Sequence, residues 1–85
     1  MRYTVTLERA AQRALDTLRG DLYRRTIEAL RALADNPRPH GVKKLRGRAD
    51  HYRVRVGDWR IVYTIRDREL VVLVLRIAHR GHVYR

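Results

Sequence analysis

Arg53, Arg55, Arg60 and Arg66 lie in the stretch HYRVRVGDWRIVYTIRD, each set among valine, isoleucine, tyrosine or tryptophan. Further on, His79, Arg80, His82, Tyr84 and Arg85 crowd the segment HRGHVYR. Arginine, histidine and tyrosine suffice for one reaction, the transesterification of RNA, in which a 2′-hydroxyl attacks the adjacent phosphate. That chemistry needs a base near the 2′-oxygen, positive charge on the pentacoordinate phosphate, and an acid for the departing 5′-oxygen. A guanidinium offers planar, paired donors that suit phosphate oxygens. A tyrosine flanked by cations, as Tyr84 is by Arg80, His82 and Arg85, has its phenolate favoured. Blander roles compete: Tyr84 could pack the tail onto a sheet, and arginine stems could simply cover apolar surface.

Other chemistries find little footing. There is no cysteine, which excludes thiolate nucleophiles, disulfide scaffolds and cysteine-ligated zinc. His79 and His82 are three apart in a segment that does not read as helix, and His40 and His51 fall in or beside loops, so no metal set is expected. No Ser/His/Asp arrangement, phosphate-cradling glycine loop or paired carboxylates stand out. No cofactor is expected.

The net charge is +11, unevenly spread. Residues 1–42 hold eight arginines against five acids; residues 43–85 hold twelve lysines or arginines against four. Such a field attracts a polyanion, nucleic acid first, then an acidic protein or an anionic membrane surface. A well-solvated surface in an arginine-rich proteome is the plain alternative. The stretch MRYTVTLERAA lacks the apolar run of a signal peptide and no later segment could span a bilayer, so a cytosolic protein is expected.

The elements that must position these residues follow from periodicity. Residues 2–7 alternate as a strand, with Tyr3, Val5 and Leu7 on one side. Ala11, Ala14, Leu15 and Leu18 make a helical stripe over 8–18. Gly20 breaks it and Asp21 is the expected cap of a second helix over 22–34, whose apolar band holds Tyr23, Ile27, Leu30 and Ala34. NPRPHG ends that helix. The first half of residues 42–50 is expected to form a short strand and the rest a loop, followed by strands over 51–56, 59–66 and 70–78, with Gly57–Asp58 as a tight turn. The run LVVLVLRIA reads as a central strand covered on both sides. The expectation is one α+β domain over residues 1–85, ordered β-α-α-β-β-β, with an antiparallel sheet packed on an N-terminal helical hairpin. Whether Arg60 shares a face with Arg53 and Arg55 depends on register, which the sequence leaves open.

The segments KKLRGRADHYRVRVGDWRIVYTI and VLVLRIAHRGHVYR resemble the RelE toxins of type II toxin–antitoxin systems, within the RelE/ParE superfamily. The resemblance implies a metal-independent endoribonuclease (an mRNA interferase) that enters the ribosomal A site and cuts messenger RNA. It also implies restraint by a cognate acidic, RelB-like antitoxin, with the toxin monomeric alone and hetero-oligomeric in the complex. By the same resemblance Arg60 stabilises the transition-state phosphate, Arg80 is a second catalytic arginine, and Tyr84 is the general base. Lys43, Lys44, Arg46 and Arg48 fall in the RNA-holding segment. Arg53 and Arg55 stand where familiar members carry lysine. Arginine does not readily release a proton, so His79 or His82 becomes the candidate acid. A ParE-like toxin that inhibits DNA gyrase without catalysis, or a degenerate protein that only binds RNA or antitoxin, is the alternative.

Overall fold

The computed structural model describes residues 2–45 and 51–79. In chain order they form β1 (Thr4–Leu7), α1 (Arg9–Thr17), α2 (Gly20–Asp35), β2 (Lys43–Lys44), β3 (His51–Val56), β4 (Trp59–Arg66) and β5 (Val71–His79). The α+β plan of a helical hairpin against a sheet matches the periodicity. The strands lie in the order β1-β5-β4-β3-β2, and β3, β4 and β5 form the expected antiparallel meander. β1, however, runs parallel to β5, so the sheet is mixed instead of antiparallel throughout. Alternation reveals a strand but not its direction. The direction is set by the crossover through two helices and the meander.

Two details of the helices differ from their sequence reading. Tyr23 was expected in the apolar band and is 41% exposed. Thr26 is buried instead, and its hydroxyl donates to the Leu22 carbonyl at 2.8 Å, which offsets the cost of burying it. Asp21 is not the cap: α2 starts at Gly20, and its N-cap, Arg19, makes no side-chain capping bond. Asp21 lies in the first turn, where a negative charge suits the helix dipole. There it pairs with Arg24 at 3.3 Å and Arg25 at 3.9 Å. The core forms where Leu15, Leu18, Leu30 and Leu33 meet Val56, Ile61, Tyr63, Val72, Val74 and Ile77.

A bulge decides how β5 presents its side chains. Val62 pairs with Arg76 while Tyr63 pairs with Val74, so Leu75 is an extra residue. Val72 and Val74 are fully buried, and Ile77, past the bulge, is buried as well. The inward phase thus switches from even to odd positions. The almost wholly apolar run serves two inward phases in succession, and Val71, Leu73 and Leu75 are only half-buried. Double-sided burial is therefore not what made the run apolar. Without the extra residue Arg76 would follow Val72 and Val74 into the helix-covered core; the bulge turns it to the other face.

The loop after α2 is tied to the sheet by polar contacts. Arg38 grips Asp67 with both terminal nitrogens, at 3.2 and 3.0 Å, and the Tyr3 hydroxyl donates to the same carboxylate at 2.6 Å. Buried Tyr63 donates to the Pro37 carbonyl at 2.8 Å. The Arg38 fork, helped by Tyr3, holds the Asp67 carboxyl down at about 2. Burial pushes the Tyr63 phenol above its ordinary range.

Candidate functional site

Residues directly opposite each other in an antiparallel pair share a face of the sheet. Arg53 lies opposite Val62 and Arg55 opposite Arg60. Val62 in turn lies opposite Arg76, and Arg60 opposite Ala78. Arg53, Arg55, Arg60 and Arg76 therefore stand on one face, away from Ile61, Tyr63 and the helices. Lys43, opposite Arg53, joins them. Val62 is only 5% exposed although it belongs to this face. It is flanked in register by Arg53 and Arg76, whose aliphatic stems are suited to shield it.

The β3–β4 turn gathers this charge further. Gly57 has φ +59, a conformation that favours glycine. Its carbonyl accepts from Arg55 Nε at 3.0 Å and from Arg60 Nη1 at 3.5 Å. Arg60 Nη1 also donates to the Trp59 carbonyl at 3.3 Å. Two directly opposed guanidiniums thus lean on one peptide oxygen.

Other candidates fall on the opposite face. Lys44 pairs with Tyr52, and its Nζ lies 5.9 Å from the Tyr52 ring centroid, with Arg38 5.6 Å from the same ring. Tyr52 itself stacks on Tyr63. His79 lies opposite Trp59 and meets its ring edge-on at 5.9 Å, in phase with Ile77 and not with Arg60. Among the described residues, the histidine in phase with the arginines is His51, opposite Thr64, and His51 Nδ1 and Thr64 Oγ1 are buried there without a hydrogen-bond partner.

Residues 5–84 match the family described as ParE toxin of type II toxin-antitoxin system, parDE. Toxin RelG of Mycobacterium tuberculosis is 33% identical over 86 residues, spanning 100% of this chain and 99% of that protein. Among solved structures, the archaeal RelE–RelB complex from Pyrococcus horikoshii OT3 aligns with a TM-score of 0.83 at 33% identity, covering 98% of this chain and 100% of that one. The RelBE2 toxin–antitoxin complex from Mycobacterium tuberculosis aligns with a TM-score of 0.79 at 32% identity, covering 94% and 100%.

This chain belongs to the RelE family of type II toxins.

Of the residues that the RelE resemblance singles out, the toxin brings Arg60, Arg53, Arg55 and Lys43 to one face. It places Lys44 and His79 on the other. Arg46, Arg48, Arg80, His82 and Tyr84 lie outside the described residues. Sequence reasoning passed over Arg25. A Cβ placed on Gly57 would stand 3.8 and 3.9 Å from the two terminal nitrogens of Arg25, so α2 brings another guanidinium to the hairpin turn. Nothing in the helical pattern marks Arg25, because the contact is made across the fold. The strand expected over 51–56 already gives His51 the parity of Arg53 and Arg55, a signal that its placement in or beside a loop passed over.

Proposed function

We propose that this RelE-family toxin is an endoribonuclease that cuts messenger RNA on the ribosome by transesterification. The observation that carries the reading is the assembly of Arg53, Arg55, Arg60 and Arg76 on one face, with Arg55 directly opposite Arg60. In the reaction the 2′-oxygen bonds to phosphorus while the bond from phosphorus to the 5′-oxygen breaks. A base takes the 2′-hydroxyl proton and an acid supplies one to the 5′-oxygen, leaving a 2′,3′-cyclic phosphate and a 5′-hydroxyl. The substrate carries its own nucleophile, so the protein's task is to hold the phosphate and move protons.

Arg60 is the residue suited to the transition state. It is half-buried, and the carbonyls of Gly57 and Trp59 fix its guanidinium before substrate arrives. Preorganised charge of this kind needs little rearrangement as the phosphate becomes pentacoordinate. Arg53, Arg55 and Lys43 hold neighbouring phosphates. These arginines cannot serve as acids at neutral pH, which leaves proton transfer to other side chains. The family resemblance gives Tyr84 the base role and makes Arg80 a second catalytic arginine, acting on the phosphate or on the leaving group. His79, set against Trp59 away from Arg60, is the weaker of the two histidine candidates for the acid, which favours His82.

The partner reading extends the same electrostatics. The RelE of Pyrococcus horikoshii OT3 to which this chain aligns was solved in complex with RelB. A chain of net charge +11 suits an acidic antitoxin segment laid over its basic face. The family name ParE favours a second reading, a toxin that blocks DNA gyrase without cutting RNA.

Primer extension on a message under translation separates the two. Wild type should leave new message ends, and Arg60→Ala should lower the cleavage rate about 10²–10³-fold while still binding, on the scale of a lost transition-state donor. No cleavage by wild type, with supercoiling by gyrase arrested instead, would establish the ParE-like reading.

A further inference from the structure

Three guanidiniums approach Gly57 at the tip of the β3–β4 hairpin, and one of them comes from α2. Arg55 and Arg60 reach the Gly57 carbonyl at 3.0 and 3.5 Å. The third is Arg25 of α2, whose terminal nitrogens lie 3.8 and 3.9 Å from where a Gly57 Cβ would stand. The absent side chain leaves the space that Arg25 approaches. Two carboxylates lie near. Asp21 is 3.9 Å from Arg25 but closer, at 3.3 Å, to Arg24, and it is well exposed, so the pairing holds Arg25 only weakly. Asp58, the other turn residue, is exposed.

We infer that the hairpin tip is a second RNA-phosphate site, where Arg25 and Arg55 hold a phosphodiester other than the one that reacts. The inference rests on the ribonuclease reading above and names a further contact of the same surface. Arg55 and Arg60 rise from the arginine-bearing face of the sheet, whereas α2 packs on the opposite face. The tip is where these faces meet. Arg25 therefore carries positive charge around the end of the sheet, continuing the track laid by Arg53, Arg55 and Arg76. An oxyanion accepts planar paired donors from several guanidiniums at once and offsets their mutual repulsion. The purely structural role would be that of a pin between α2 and the turn, and it has different consequences.

The test is toxin binding to ribosomes carrying a message 2′-O-methylated at the A-site codon, which cannot be cut, measured between about 50 and 200 mM salt. Arg25→Gln should weaken binding several-fold and reduce the salt slope by about 0.7–0.9, the loss of one phosphate contact. Single-turnover cleavage of unmodified message at saturating toxin should stay at the wild-type rate, and Arg25→Lys should keep the slope. A slope change on programmed ribosomes alone assigns the phosphate to the message. The same change on empty ribosomes assigns it to ribosomal RNA; both support the site. An unchanged slope with a lowered melting temperature overturns it and leaves Arg25 as a pin. Weakened antitoxin binding with the RNA slope intact also overturns it. If wild type cleaves and Arg25→Gln binds as wild type does, this site alone falls. If wild type neither binds nor cleaves, the ribonuclease reading falls and takes the site with it.

Discussion

Arg55→Gln should make the toxin more stable and less able to hold RNA. Arg55 and Arg60 are opposed in register, and both donate to the Gly57 carbonyl. Distances of 3.0 and 3.5 Å to one oxygen hold Arg55 Nε and Arg60 Nη1 within about 6.5 Å of each other. Arg55 is exposed, so a water-like dielectric applies, and two unit charges at that separation repel by about 0.6 kcal/mol. Glutamine removes the charge and keeps a donor for the carbonyl. For a domain of this size, about 0.5 kcal/mol corresponds to a rise in melting temperature of about 2–4 °C. The assay is thermal unfolding at low and high salt, paired with binding to programmed ribosomes. The gap between variant and wild type should shrink as the screening length falls from about 10 Å at 0.1 M to about 3 Å at 1 M salt. Binding should weaken at the same time. A variant that melts lower than wild type, or a gap indifferent to salt, would refute the claim that opposed charge strains this hairpin.

Two further perturbations test how the face is supported. Asp67 has its folded-state carboxyl pulled from 3.8 to about 2, so its share of stability is present above pH 3.8 and is lost as pH falls toward 2. The melting-temperature gap between wild type and Asp67→Asn should therefore be constant above pH 5 and close in acid; a gap that ignores pH would show that the Arg38 fork contributes nothing. Tyr63→Phe strips the donor from the Pro37 carbonyl, beside a buried proline, and should cost about 1–3 kcal/mol in urea unfolding. A loss near zero would mean that solvent satisfies that carbonyl.

The local pattern was sufficient for several parts of this toxin. Alternation placed β3 and β4 at their observed bounds, and Gly57–Asp58 marked the turn between them. Helical spacing found the Ala11, Leu15 and Leu18 stripe. In each case the controlling interactions lie within a few residues along the chain, so the chain itself records them.

Pairing across strands decided the rest. Arg60 meets Arg55 because a two-residue turn sets the β3–β4 register, and β1 runs parallel to β5 because two helices intervene. Arg76 reaches the arginine face only because Leu75 bulges, a feature hidden in a run that is almost wholly apolar. Arg25 reaches Gly57 because α2 packs across the sheet, a contact 32 positions apart in sequence. Composition and periodicity thus determined which residues were polar, apolar, helical or extended. Which guanidiniums stand together was left to register and packing, since electrostatic repulsion among them gives no local preference for the arrangement and the burial of Ile61, Tyr63, Val74 and Ile77 enforces it.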